Sequence, residues 1–391
     1  MAEAKLTIRI VPSLADIPAM AWDACARGET DRAPNPFICH AFLMALEVSG
    51  CTGARTGWNP AHLLVEDAEE TLLAAAPCYL KTHSQGEYVF DHGWADAFER
   101  AGGQYYPKLQ VSAPFSPVTG PRLLVRQGPQ ASVASDTLVQ GLQTLRDRVG
   151  ASSIHVTFLT ETEWTLLGSK GFLQRTDQQF HWQNVGYADF DAFLETLASR
   201  KRKAIRKERK TALENGITIE RVTGAELTEK HWDDFYAFYL DTGSRKWGRP
   251  YLTRRFFSEI GRTMAKQTLL ILAKREGRAI AGAINFMGHD ALYGRNWGCI
   301  EDHPCLHFEV CYYQAIEFAI ENGIARVEAG AQGEHKLARG YLPSTTYSAH
   351  DIADPRLRRA VADYLEHERE RVMAMQQVLL AEGPYRQAGN E

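Results

Sequence analysis

No stretch of this 391-residue chain approaches the roughly 18 consecutive apolar residues that a membrane-spanning helix requires, so no transmembrane segment is expected. The N-terminus, MAEAKLTIRIVPS, lacks a basic region followed by an apolar one, and no signal peptide is expected. Charge of one sign is not in large excess: 44 Lys and Arg against 48 Asp and Glu give a net charge of −4. That balance excludes a globally basic nucleic-acid binder but leaves room for a local basic surface. The 7 cysteines are odd in number and follow no repeating framework, which suits reduced thiols in a cytoplasm rather than a disulfide scaffold. The GxxxxGKS/T of a P-loop and the GxSxG of a hydrolase elbow are both missing.

What is present describes a globular protein: hydrophobic residues make up 45% and charged residues 24%, outside the disordered and fibrous classes. The length favours two domains. Strand-like runs at 6–11, 62–66, 71–80, 154–159 and 172–182 alternate with helical patterns at 36–48, 131–149 and 161–170. Helices near 189–215, 229–244 and 253–265 follow, then strands at 268–274, 279–287 and 291–297, a helix over 307–321 and a strand at 326–329. A last strand near 345–352 precedes a long charged helix from 356 to about 380. Both halves share one order: helices, a β-meander, a central helix, a strand and a final strand. Two mixed α/β units, 1–186 and 187–391, joined near 184–189 around a cleft, form the economical reading. The second carries the main expected site.

The most informative stretch is 307–339, HFEVCYYQAIEFAIENGIARVEAGAQGEHKLAR. On a helical wheel Phe308, Cys311, Tyr312, Ala315, Ile316, Ala319 and Ile320 share one apolar arc, while His307, Gln314, Glu317 and Glu321 lie opposite. Glu309 falls inside the apolar arc, and an ionisable group on a burying face needs a partner or a function. Glu328 leads into a loop whose glycines let backbone N–H groups approach an anion, with Gln332, Glu334, His335, Lys336 and Arg339 around them. A plain turn is the alternative there.

Three further features invite chemistry. SRKRKAIRKERK at 199–210 sets Arg202, Arg206 and six other cations against one acid, Glu208, an anion-binding candidate or simply a solvated face. YYPKLQVSAPFSPVTGPR at 105–122 places Lys108 and Arg122 in a proline-stiffened segment, a substrate wall or a structural loop. Cys299, His303, Cys305, His307 and Cys311 depart from the paired CxxC of structural zinc sites, and no metal is expected.

The segments YYPKLQ, PFSPVTG, RKRKAIRKERK, LYGRNWGC, HFEVCYYQAIEFAI and GAQGEHKLARGY resemble the FemAB-like N-acyltransferases, associated with peptidoglycan biosynthesis, over nearly the whole chain. The resemblance implies two tandem acetyltransferase-like (GNAT) domains of mixed sheets, an interdomain cleft and a long C-terminal helix. It also implies an aminoacyl-tRNA or acyl-CoA donor and a small-molecule or peptide amine acceptor such as a muropeptide. Arg295 and Trp297, within LYGRNWGC, join the substrate-binding candidates on this basis. The sequence departs from the usual acetyl-CoA pyrophosphate loop: CIEDHPCLH at 299–307 has no glycine, and RQGPQA at 126–131 has Pro129 where glycine belongs.

Acyl transfer needs a deprotonated amine, a held carbonyl and a cation or N–H pair for the oxyanion. Glu309 is expected as general base or amine-positioning carboxylate, or else as a capping glutamate. Lys336 is expected to steady the oxyanion or a donor phosphate, with Arg339 and Arg206 on anionic groups. His307 and His335 are reserve acid–base groups, and Glu328 an orienting carboxylate. No permanently bound cofactor is required, and the location expected is cytoplasmic. A non-catalytic tRNA- or muropeptide-binding protein on a degenerate scaffold is the competing expectation.

Overall fold

The computed structural model describes residues 5–27, 34–246, 250–330 and 333–386, with backbone only at 244–246. Its chain falls into two compact units, Met1–Asp177 with Thr345–Met373, and Gln178–Ser344 with Ala374–Glu391. The division therefore lies at 177/178 instead of 186/187, and the C-terminal segment is shared between the units. It escapes a sequence reading because the chain changes unit inside the strands Leu173–Gln183 and Leu342–Ile352, where no composition shift marks it.

In the first unit, Thr7–Val11, His62–Glu66, Leu72–Ala76 and Leu124–Val125 pair antiparallel in that order. Trp58–Pro60, Cys78–Lys81 and Lys108–Val111 form a second antiparallel run, and Ser153–Leu159 lies parallel to its last member. The single strand expected over 71–80 is two strands because Pro77 between them has no N–H to give a ladder. Helix Ala131–Arg148 buries Ala134, Leu138, Val139 and Leu142 among Leu63, Leu109 and Val156, as its apolar spacing dictates. Helix Glu161–Ser169 starts on a capping box in which Thr160 and Glu163 satisfy each other's backbone N–H groups.

In the second unit, Ile217–Thr223, Thr268–Arg275, Arg278–Met287 and Ala291–Cys299 make an antiparallel meander. Residues 268–273 are buried on both faces, consistent with the unbroken apolar run TLLILA. Residues 306–321 then form one helical segment, after which Arg326–Glu328 lies parallel to Ala291–Tyr293 and antiparallel to residues 181–183. The helix expected over 189–215 is two, Phe190–Glu195 and Ser199–Ala212. Between them the Ala198 N–H turns to the Pro384 carbonyl and Leu197 bridges to Tyr385, so the backbone is bonded away from a helix.

Among the described residues no helix is long and apolar enough to cross a membrane. That includes the long C-terminal helix, Pro355–Ala381, which buries Leu357, Val361 and Leu365 against Trp94 and Tyr105 of the first unit.

Candidate active site

The second unit opens where two parallel strands part. Ala291–Cys299 pairs with Arg326–Glu328 only through Ala291, Leu292 and Tyr293. From Gly294 onward the edge facing the later strand is released. On its other edge the strand carries a bulge: Ile284 pairs with Asn296 and Asn285 with Gly294, leaving Arg295 as the extra residue. A bulge bends its strand and re-aims a side chain. Here it borders a cavity of about 80 Å³ whose walls include Asn285, Arg295, Trp297, His307, Cys311 and Tyr312.

Helical geometry supplies the opposite wall. Residues Glu309–Tyr313 form a π turn, with the Gln314 N–H bonded to the Glu309 carbonyl five residues back. One extra residue in a turn rotates every later side chain by about 100°, so a wheel of uniform pitch misplaces residues across it. Gln314, expected on the outer face, is buried. Its Nε2 donates to the Glu309 Oε1 at 2.7 Å, a pairing that the five-residue spacing brings face to face.

Glu309 is fully buried, as its place in the apolar arc implied. Its expected use as a base is not what its surroundings favour. Arg209, from the basic helix, donates from Nε to Oε2 at 3.1 Å and from Nη2 to Oε1 at 3.0 Å. The same guanidinium reaches Glu317 at 3.0 Å, and Arg221 joins Glu317, Glu321 and Gln314. A carboxylate held by a bidentate guanidinium is charge-paired and fixed in place. No hydrogen bond or ion pair joins Glu309 to Lys336.

Lys336 has the opposite surroundings. It lies on the short helical turn Glu334–Arg339, is buried, and its Nζ donates to the Gly330 carbonyl at 2.9 Å. Among the described residues no carboxylate pairs with it. Burial pulls its ammonium down to about 8, opposed by the nearby Cys311 and reinforced by Arg295. His335, exposed on the same turn, shares a 2.8 Å hydrogen bond with the Tyr312 hydroxyl. The His307 ring lies 5.2 Å from that of Trp297 and 6.2 Å from that of His335. His307, Arg295 and Trp297 therefore line the cavity, and His335, on the turn that carries Lys336, is bonded to Tyr312 of its wall.

The remaining expected residues scatter. Arg339 is buried, stacked 3.4 Å over the Phe308 ring, and paired to both Glu208 oxygens at 2.9 Å. It lines another, larger cavity of about 350 Å³ with Arg200, Lys201 and Glu208. Arg206 pairs with Asp191 at 2.8 Å on the surface, and Arg202 approaches Glu195 at 3.7 Å. Glu328 is buried on Arg326 at 2.9 Å, with its second oxygen 3.8 Å from His181, whose ring burial holds neutral. Glu334 is exposed, and Gln332 lies outside the described residues. Among the described residues no group of three or more His, Cys, Asp or Glu side chains is placed to hold a metal ion.

Two residues expected on a substrate wall are buried and engaged with protein partners. Lys108 is completely buried in the first unit, where its Nζ meets Glu87 at 2.7 Å, Ser84 at 2.8 Å and Asp91. Arg122 is spent on carbonyls, those of Thr157 at 2.9 Å, Gly120 at 3.0 Å and Val118 at 2.6 Å. It folds the proline-rich loop back on itself. A lone cation in an apolar strand signals a hidden partner as readily as a ligand, and Glu87 and Asp91 lie too far away in sequence to be matched to it.

Asn285, Cys311, Glu208 and Arg209 were not assigned to the site from sequence. Asn285 did carry a signal, as the one polar residue in AINFM. Glu208 carried another, as the one acid in a basic run.

A profile of the FemAB-like family, described as peptidoglycan biosynthesis and recognition, matches residues 13–387. A comparison with curated protein sequences finds no match. Among solved structures, FemX superposes with a TM-score of 0.55 at 12% identity, covering 88% of this chain and 98% of its own. L-PGS from Bacillus licheniformis gives 0.50 at 10%, covering 86% and 99%. A conserved protein of unknown function from Bacteroides thetaiotaomicron gives 0.53 at 11%, covering 89% and 100%. The fold is a tandem of acetyltransferase-like units, each a β-meander, a helix and a strand parallel to the meander's last member.

Proposed function

The chain belongs to the FemAB-like family, and from that premise we propose that it is an N-acyltransferase, passing an aminoacyl or acyl group to an amine of a peptidoglycan precursor. One observation carries this reading: a buried ammonium without a carboxylate among the described residues, Lys336, on the same short turn as His335, which is bonded to Tyr312 of the cavity wall. A tetrahedral oxyanion brought to that ammonium would meet a cation already stripped of water. Such a donor contributes about 2.7–4 kcal/mol to lowering a barrier. With its ammonium pulled to about 8, Lys336 stays charged at neutral pH yet is close to releasing a proton. His307 and the Tyr312–His335 pair are the groups placed to take the proton of the incoming amine. Glu309 positions: through Arg209 it ties the π turn to the basic helix.

The proposed donor is aminoacyl-tRNA. On helix Ser199–Ala212, Arg200, Lys201, Lys203, Lys207 and Lys210 make no ion pair among the described residues, whereas Arg202, Arg206 and Arg209 do. Unpaired cations in a row attract a phosphate backbone, and the helix after Cys299 lacks the glycine loop expected for a CoA pyrophosphate. The test is product formation. Aminoacyl-tRNA or acyl-CoA is supplied with a precursor peptide bearing a free amine, and the amide is sought by mass spectrometry. Transfer from the tRNA donor, lost in Lys336→Met, is expected. Binding of tRNA with no amide from either donor would make the chain a binding protein.

A further inference from the structure

We propose that the 80 Å³ cavity is a subsite for a primary amine in its uncharged form, with the Asn285 Oδ1 as the atom that receives its N–H. The inference rests on the acyl-transfer reading above and names the chemical group that enters the parting of the strands. Asn285 is 1% exposed and borders the cavity. Its Oδ1 has no hydrogen-bond partner among the described residues, while its Nδ2 lies 3.4 Å from both the Leu269 and the Ala283 carbonyls. Those two carbonyls face the nitrogen, and the oxygen lies beside Gly294, the residue opposite Asn285 in the strand pairing. A Cβ added at Gly294 would come to 3.3 Å from Oδ1, tighter than ordinary contact, so the glycine keeps that oxygen clear. A buried acceptor left without a donor destabilises a fold, and a ligand N–H removes that cost.

The charge of the wall selects the form of the amine. Among the described residues the titratable groups lining the cavity are Arg295, His307, Cys311 and Tyr312, and no carboxylate lines it. Glu328, on the later strand, is taken by Arg326 at 2.9 Å, and Tyr293 lies 3.5 Å from the same guanidinium. On the turn behind Tyr312, His335 is bonded to the Tyr312 hydroxyl and Lys336 to the Gly330 carbonyl. An ammonium in this cavity would lose its water, meet the Arg295 cation and find only a carboxamide as acceptor, so it is disfavoured by desolvation and by like charge. The free base escapes both penalties and keeps the bond to Asn285. Attack on a carbonyl needs that same form, because only the uncharged nitrogen has a lone pair to give.

Two amines share this chemistry: the one that attacks, on the acceptor, and the α-amino group of an aminoacyl donor. For the first, the bond to Asn285 orients the nitrogen and favours its nucleophilic state. For the second, the same bond distinguishes an aminoacyl group from a plain acyl group, which has no N–H at that carbon. At roughly 10–15 Å³ per water-sized centre, 80 Å³ holds about five to eight, enough for an amine with its first few carbons.

Calorimetry tests this without turnover. A precursor peptide bearing a free amine and, separately, an aminoacyl-adenosine amide that stands in for the charged tRNA end are titrated into the full chain. Two buffers of different ionisation enthalpy count the protons. At about pH 7 both amines are mostly charged in solution, so the probe whose amine enters the cavity should release about one proton on binding. Asn285→Leu should weaken that same probe at least about tenfold and leave the other unchanged. The unfolding midpoint should stay or rise, since an unpaired buried acceptor is removed. Which probe responds assigns the amine to acceptor or donor. Binding of both probes without proton release, or at wild-type affinity in Asn285→Leu, overturns the inference, while amide formation by wild type keeps the transferase reading intact. A wild type that binds neither probe and forms no amide overturns that reading instead.

Discussion

Two buried lysines, one in each unit, show how the same residue type can serve opposite ends. Lys108 and Lys336 are both almost without solvent exposure. Around Lys108 the chain assembles Glu87, Asp91 and Ser84, with Tyr105 donating to Asp91 at 2.7 Å and His155 3.8 Å from the same carboxylate. Burial pulls the Lys108 ammonium down, but the two carboxylates more than reverse that and leave it raised. Lys336 has a carbonyl and a thiol, and burial wins. A neutralised cation with every proton engaged has nothing left to offer a ligand. A buried cation without a carboxylate partner keeps its electrostatic reach. In the proposed reading the second unit carries the chemistry and the first serves as scaffold.

Breaking the Lys108 group should have the largest effect. Lys108→Met leaves Glu87 and Asp91 buried with a counter-charge removed and is expected to cost about 3–5 kcal/mol of stability, read as a lowered midpoint in thermal or denaturant unfolding. A loss below about 1 kcal/mol would mean that the carboxylates take up protons at little cost, and the contrast with Lys336 would fade.

Lys336→Met should do the reverse: transfer falls by about 10²–10³, while stability at pH 7 is unchanged or higher because an unpaired buried charge is removed. Its titration gives the pH test. The folded-state value, about 8, lies below the unfolded value of 10.5. Between them the unfolded chain holds the proton and the folded chain does not, so stability from this group rises as pH rises through that window. Lys81, which burial pulls down to about 7, acts in the same direction. The comparison is therefore wild type against Lys336→Met, and the difference in slope across pH 8–10.5 is the readout. The transfer rate should show a falling limb near pH 8 that the variant lacks.

Glu309→Gln is expected to cost about 1–3 kcal/mol, since it removes a buried charged acceptor from Arg209. The shape of the pH–rate profile should not change. If its limb on the acid side vanishes, Glu309 is the base after all. The smallest effect is expected from Lys203→Ala on the exposed helix face: weaker tRNA binding, with the salt slope reduced by about 1 and no change in unfolding.

Much of the fold was legible, because periodicity is a local property. The strand at 62–66 is seen at those bounds, and the helix expected at 131–149 ends one residue earlier. The helix over residues 92–100, a run of nine residues with Gly93 in its first turn, and the strand over residues 217–223, whose alternation ITIERVT lies near a charged run, were missed. At the site, Lys336 and Glu309 were singled out as candidates, and both are buried. Which of them would find a partner depended on Arg209, a hundred residues from Glu309, and nothing in a linear chain says which cation reaches which acid.

The sequence by itself determined most of the elements, the alternation that makes two mixed units, the basic helix and the burial of Glu309, since all follow from side-chain pattern along a few turns. Only the tertiary structure decided the π turn, the bulge at Arg295, the cavity beside Cys311 and the isolation of Lys336 from carboxylates among the described residues. Those depend on long-range pairing, and electrostatic fate in an interior is set by the nearest charge in space, whatever its distance along the chain.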